Sequence, residues 1–212
     1  MKIIKPSYEI LTPISKDGLE ELKRIETAAR TCYKSEDKIA EDGSSARKMV
    51  KALIARGHEA MLEHSQLSVK FICDRGVTHE MVRHRLCSFA QESTRYCNYS
   101  GDKFGEELTF IEPSFFVNNA TLYSFWKDAC QKCEDIYMYM VRNGVTPQEA
   151  RSVLPNSLKT EIVVTANYRE WRNIFKLRCA KDAHPQIREL MIPLQKELAE
   201  KIPEVFDIPN LY

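Results

Sequence analysis

The stretch from Arg83 to Arg95, RHRLCSFAQESTR, gathers three arginines, one histidine and two serines into thirteen residues. Guanidinium forks, hydroxyls and loop amides are the groups that surround an anion such as a phosphate. Their spacing limits how they can act. Were a helix to continue through Arg85, Arg83 and Arg85 would stand about 200° apart on it and could not grip one phosphate together. Either the helix ends near them, or they serve different ligands or different subunits. The plain alternative is a solvated cluster of surface salt bridges with Glu92 and other acids.

Arg178 is the second residue out of place. On REWRNIFKLRC, the residues Trp171, Ile174 and Phe175 form an apolar stripe, with Arg169, Arg172, Asn173 and Lys176 opposite. Arg178 falls within the stripe, seven residues after Trp171,. A cation there is either paired, because an uncompensated buried charge is costly, or snorkels at the helix end, where it suits the dipole.

Other chemistries find no support. CQKC, with Cys130 and Cys133, is a lone pair at helical spacing, and HEAMLEH (His58 to His64) lacks the i, i+4 histidine pair of a metalloprotease helix, so no metal is expected,. Seven glycines form neither a dinucleotide fingerprint nor a phosphate loop, so any nucleotide is held by side chains and loop amides,. A formal net charge of +1 provides no global field toward nucleic acid or membrane,. No apolar run is long enough to span a bilayer, and MKIIKPSYEIL is too short and polar for a signal-peptide core. Seven cysteines, an odd number without disulfide-like spacing, fit reduced thiols in the cytoplasm,.

The elements that must position these residues follow from periodicity. Leu19, Leu22, Ile25, Ala29 and Cys32 predict one amphipathic helix, and Met49, Val50, Leu53 and Ile54 a second, begun by serine and stopped by Gly57. QLSVKFIC alternates as a half-buried strand, THEMVRHR reads as helix, and LCSFAQESTRYCNYSGDKFG reads as loop. ELTFIEP is a short strand closed by Pro113. A long helix carries Leu122, Phe125, Trp126, Ala129, Cys133, Ile136, Tyr137 and Met140. Thr146 to Glu149 form a capping box with Pro147 at the first helical position. LKTEIVVTANY is a strand, REWRNIFKLRC a helix, and HPQIRELMIPLQKELAEKI a last helix that Pro193 should kink. The expected fold is α+β, a small, mainly antiparallel sheet covered by helices, in a single domain over residues 1–212.

Taken together, these residues resemble the flavin-dependent thymidylate synthases, whose signature is R-H-R, two variable residues, S, four variable, S, one variable, R. Arg83, His84, Arg85, Ser88, Ser93 and Arg95 match at that spacing, with HEAMLEH, ARSVLP and ANYREWRNIFKLR in the same order. The resemblance implies two phosphorylated ligands, FAD and dUMP, which accounts for the crowding of anion donors. By motif position, Arg83, His84 and Arg85 would contact the flavin, Arg83 standing close to both ligands. Gln91, Glu92, Ser93, Thr94 and Arg95 would surround the dUMP phosphate and sugar, with Gln91 shared by the cofactor and Arg151 reaching the nucleotide from elsewhere. Asn167, Arg169 and Asn173 match further flavin contacts, as does His58. Arg178 matches the arginine that faces the uracil and stabilises its ionised N3. Glu80 stands at the nucleotide-contact position that is commonly glutamine, where a carboxylate would repel phosphate. Ala60 replaces a common hydroxyl residue and leaves only its backbone to the flavin.

The resemblance further implies reductive methylation of dUMP to dTMP, with methylenetetrahydrofolate as carbon donor and NADPH as reductant, in a cytoplasmic homotetramer whose sites are shared between subunits. Two other readings compete. One is a nucleic-acid-binding module using RHR and Arg95, against which stand the near-zero charge and the absence of a basic face. The other is a flavin-free methyltransferase with Cys87 or Cys97 as nucleophile. Cys87 occupies a variable position of the motif and Cys97 lies outside it.

Overall fold

The computed structural model describes residues 1–101 and 105–212. Its strands are β1 (Lys2–Ile4), β2 (Ser7–Ile10), β3 (Gln66–Asp74), β4 (Ser88–Gln91), β5 (Thr109–Ile111) and β6 (Lys159–Asn167). Its helices are α1 (Leu19–Tyr33), α2 (Ser44–Ala55), α3 (Arg75–Met81), α4 (Ala120–Arg142), α5 (Pro147–Ala150), α6 (Tyr168–Arg178), α7 (Pro185–Lys201) and α8 (Pro203–Phe206). The main sheet has the order β2-β3-β6-β4, and β1 pairs with β5 in parallel. The class is α+β with a small antiparallel sheet, as the periodicity predicts. The chain forms two compact units, one of residues 1–8, 70–83 and 89–163, the other of 9–69, 84–88 and 164–212.

In the second unit, α1 buries Leu22, Ile25 and Ala29, and α2 buries Ala46, Val50 and Leu53, so the three- and four-residue steps become one shared seam,. Cys32, expected on that stripe, is exposed. The residue capping α2 is Gly43 at φ 75°, one position before the serines, and a Cβ there would overlap the Leu19 side chain,. Trp171, Ile174 and Phe175 of α6 are fully buried, and the Trp171 indole donates to the Leu67 carbonyl at 3.0 Å. Phe206 of α8 completes this core, 5.1 Å from the Tyr168 ring and 6.0 Å from that of Phe175. Arg172 departs from expectation. The helical wheel leaves it on the polar face, yet it is buried, donating to the Val205 carbonyl and to Glu59 at 3.2 Å. The reason is tertiary: α8 and the 3₁₀ turn Glu59–His64 cover a face that the isolated helix would leave in water. Helix α7 continues on both sides of Pro193.

In the first unit, α4 turns a different face inward than its apolar stripe suggests. Cys130, Glu134, Tyr137 and Met138 are buried, whereas Leu122, Phe125 and Ile136 remain exposed. A carboxylate decides the inward face, because Glu134 accepts the Leu108 amide at 2.7 Å, a backbone donor that burial would otherwise orphan,. Tyr99, Leu108, Phe110, Ala150 and Leu158 pack on the same cluster. The capping box at Thr146 and Glu149 forms with Pro147 at the first helical position, as expected. Helix α3 is capped by Asp74, whose Oδ1 accepts the Val77 amide at 2.9 Å, and it ends at Met81. Arg83 and Arg85 therefore lie beyond the helix, which settles the angular question. The segment expected as loop contains β4, and Glu92 extends its pairing by donating to the Glu161 carbonyl at 2.8 Å. Residues 88–91 alternate only between exposed and half-buried and hold no β-branched side chain, so the strand signal is weak,.

Candidate active site

In the first unit, Arg75, Thr94, Gln148, Arg151, Ser152 and Leu154 line a cavity of about 440 Å³. Arg151 Nη1 donates to Thr94 Oγ1 at 3.3 Å, joining two residues that the motif assigns to one phosphate. Arg75 was not among the sequence candidates. It opens α3, and its Nη1 is buried without a hydrogen-bond partner. A buried cationic N–H left unsatisfied is costly, and Arg75 places a second guanidinium-bearing residue on the lining of this cavity.

Gln91 and Glu92 line a different cavity of about 510 Å³, together with Lys70, Lys159 and Glu161. The Gln91 amide donates to Thr78 Oγ1 at 3.0 Å and Thr160 Oγ1 at 3.3 Å. Glu92 accepts from the Tyr99 phenol at 2.8 Å and the Lys159 ammonium at 2.9 Å, so its carboxylate is committed to these and not to the motif arginines. Burial works against the Lys159 charge, but the Glu161 and Glu92 carboxylates outweigh it and raise that pKa,. Ser93 Oγ accepts the Arg95 amide at 3.3 Å, in a turn where Cys97 N also reaches the Ser93 carbonyl at 2.9 Å. The Arg95 side chain is exposed, its guanidinium 5.5 Å from the Tyr96 ring centre,. Glu80 is half-buried on α3, and Arg83 is exposed just after that helix.

In the second unit, Asn167, Arg169, Asn173, Lys176, Glu170 and Leu86 share a cavity of about 480 Å³ with Glu59 and Glu63. This wall brings together three of the predicted flavin contacts. Asn167 caps α6 by accepting the Glu170 amide at 2.9 Å, and Arg169 pairs with Glu63 at 2.7 Å. Leu86, although apolar, is 74% exposed at this cavity. His58 and Arg85 are exposed and do not line it.

His84, between two exposed arginines, is only 5% exposed. Its Nδ1 lies 3.1 Å from Glu170 Oε1, and Arg178 Nε donates to its Nε2 at 3.0 Å. Arg178 is half-buried, as its place on an apolar stripe requires, and it has a partner within the chain. Burial depresses the His84 pKa, the Arg178 charge adds to that effect, and Glu170 opposes it,. Glu170 is the residue that sequence reasoning missed. In Asn167-x-x-Glu170 it has the pattern of a capping box, which would spend its carboxylate on the helix start. Instead it faces His84, and Asn173 Nδ2 donates to it at 3.2 Å.

Cys87 is half-buried, and burial together with the Glu170 charge pushes its thiol up to about 12. Among the described residues no group of three or more His, Cys, Asp or Glu side chains is placed to hold a metal ion, and no helix is long and apolar enough to cross a membrane.

The model of the family described as thymidylate synthase complementing protein matches residues 17–204. The flavin-dependent thymidylate synthase of Geobacter sulfurreducens is 32% identical over 187 residues, covering 86% of this chain and 79% of the relative. That of Pyrococcus abyssi is 33% identical over 187 residues, covering 85% and 75%. A crystal structure of a UMP/dUMP methylase from Streptomyces cacaoi, bound with 5-Br dUMP, is similar in fold, with a TM-score of 0.80 over 98% of this chain and 96% of that one at 21% identity.

Proposed function

The chain belongs to the flavin-dependent thymidylate synthase family, and we propose that it converts dUMP to dTMP with methylenetetrahydrofolate as carbon donor and NADPH as reductant. FAD is the family's cofactor. When bound, it supplies the reducing equivalents that this methylation consumes.

The observation that carries the residue assignment is the cavity where Arg151 meets Thr94 and Arg75 shares the lining. Two guanidinium groups and a hydroxyl form a site suited to the dUMP phosphate, with Ser93 and Arg95 on the adjoining turn. Arg83, Glu80, Gln91 and Glu92 complete the nucleotide side by motif position, although the Gln91 and Glu92 side chains are engaged elsewhere. We assign the wall of Asn167, Arg169, Asn173 and Lys176 to the cofactor, in a cavity that Glu59, Glu63 and Glu170 also line and where Arg169 is paired with Glu63. It offers amide and cationic donors for phosphates, and Leu86 offers an apolar surface for a flat ring,. We assign His58 and Arg85 to the same cofactor, and His84 to it by motif position alone, since both of its ring nitrogens are engaged by Glu170 and Arg178. Arg178 would hold the negative charge that develops on the uracil, in a half-buried setting where that contact is stronger than in water,.

We further propose that both units serve one reaction, so that residues 1–212 act as a single functional domain in a cytoplasmic homotetramer. Purified protein with a flavin spectrum, making dTMP only when dUMP, methylenetetrahydrofolate and NADPH are all present, is the expected result. Product without NADPH would overturn the reductant. A colourless protein that binds oligonucleotides tightly would overturn the enzyme. Light scattering tests the tetramer.

A further inference from the structure

We propose that Glu170 and His84 are positioning residues that orient the Arg178 guanidinium for the uracil, a role that rests on the reading of Arg178 given above. A guanidinium donates and never accepts, so the nitrogen facing Arg178 Nε at 3.0 Å, His84 Nε2, must present a lone pair,. A neutral imidazole then carries its proton on Nδ1, which donates to Glu170 Oε1 at 3.1 Å,. Glu170 is only 6% exposed and is itself held, its amide by Asn167 Oδ1 at 2.9 Å and its carboxylate by Asn173 Nδ2 at 3.2 Å. Orientation thus passes from the capped start of α6, through a histidine brought by a separate segment, to the last residue of the same helix. Glu170 and Arg178 lie about 12 Å apart along that helix and cannot meet directly. The imidazole joins them.

The arrangement works only with His84 neutral. Protonation would set two N–H donors and two positive charges against each other at 3.0 Å and would release Arg178,. The charged groups facing the imidazole are Glu170 and Arg178, both of α6. From its own segment the neighbouring titratable group is the Cys87 thiol, while Arg83 and Arg85 are exposed. Glu170 therefore has two effects. It selects the useful tautomer, and its charge moves the pH at which that tautomer is lost.

Glu170→Gln separates the proposal from a structural role. A glutamine can accept from Nδ1–H or, flipped, donate to it, so the tautomer is no longer fixed and the support for imidazolium is gone. In FAD-loaded enzyme, kcat should fall about tenfold with the KM for dUMP within about twofold. The acid limb of the kcat profile should move to lower pH, and flavin content should stay unchanged. An E170Q enzyme with wild-type kcat and acid limb, beside an inactive Arg178→Ala, overturns the relay and leaves the Arg178 reading standing. An active R178A overturns both. Loss of flavin in E170Q would show that Glu170 serves the cofactor through the cavity it lines, and would overturn the relay. Should E170Q fail to fold, ¹⁵N-histidine spectra of the wild-type holoenzyme decide, with His84 assigned by its absence in His84→Gln. The Nδ1–H tautomer at pH 7 is expected, and an Nε2–H or doubly protonated ring would overturn the relay.

Discussion

The loop carrying Ser93, Thr94 and Arg95 and the helix carrying Glu170 and Arg178 both hold charges that we assign to a ligand, but they are built in opposite ways. On the loop side, Arg95 and Arg151 are exposed, the contacts are few, and Arg75 keeps a buried N–H without a partner. On the helix side, His84 and Glu170 are buried, Arg178 is half-buried, and each reaches the next through a hydrogen bond near 3 Å. Exposed donors such as those of Arg95 and Arg151 suit capture, since they lose little by waiting in water. A cation tied into a buried chain suits orientation, since its geometry exists before the ligand arrives. Binding energy and barrier lowering should therefore come from different regions.

Arg178→Ala is the largest break in that contrast. Losing a charge-assisted contact made as negative charge develops should raise the barrier by about 2.7–4 kcal/mol, a loss of about 10²–10³ in turnover. FAD content should remain near normal, which stopped-flow turnover and the flavin spectrum together would record. Near-normal turnover would remove Arg178 from the chemistry.

On the capture side the expected loss is in affinity. Arg151→Ala and Arg75→Ala should each weaken dUMP by about 1.5–3 kcal/mol, the range for a hydrogen bond to a charged group, with little change in FAD affinity. Arg95→Ala should also weaken dUMP more than FAD. Its guanidinium is exposed and lies near the Tyr96 ring, so the loss should be the smallest of the three. Titration of both ligands into the three variants tests the division. Equal losses for dUMP and FAD would mean that the loop has been put on the wrong ligand.

These residues also show where the sequence was legible. The motif spacing, the strands β3 and β6 and the buried stripe of Trp171, Ile174 and Phe175 follow from local period. Arg178 was visible as a cation on an apolar face. Its partner was not, because His84 arrives from a distant segment and spacing along one helix cannot find it. Glu170 was hidden by a pattern that reads equally well as a helix cap. Arg75 and Arg172 were hidden by tertiary cover, which no helical wheel contains. In α4 the apolar stripe misled, because Glu134 holds the inward face through a backbone amide that only the folded chain supplies.

The buried chain should also leave a mark on stability. His84 has a folded pKa below its ordinary value of 6.5, mainly through burial. The unfolded chain therefore takes up the proton more readily than the folded one. Stability is undiminished above about pH 6.5 and declines as pH falls from there through the folded value. Urea midpoints at pH 7.5 and 5.5 should differ more in the wild type than in His84→Gln. An equal change in both would mean that the imidazole is not held neutral by the fold.

The smallest effect is expected at the cysteines, and it bears on the contrast because Cys87 lies beside the buried chain and Cys97 beside the loop. A catalytic thiolate needs a lowered pKa. The flanking arginines suggest that possibility at Cys87, but their side chains are exposed, while burial and Glu170 push the thiol up to about 12. At neutral pH that group is a thiol and a poor nucleophile. Burial thus keeps the sulfur protonated, and the Glu170 carboxylate that faces His84 adds to that effect. Cys87→Ala and Cys97→Ala should each retain substantial dTMP synthesis dependent on FAD and NADPH. Thiol alkylation at pH 7.5 should be slow at Cys87 and should leave turnover largely intact. A folded, yellow Cys87→Ala enzyme without activity would show that the sulfur takes part in the reaction. The buried chain would then have to be reread as serving Cys87 rather than Arg178.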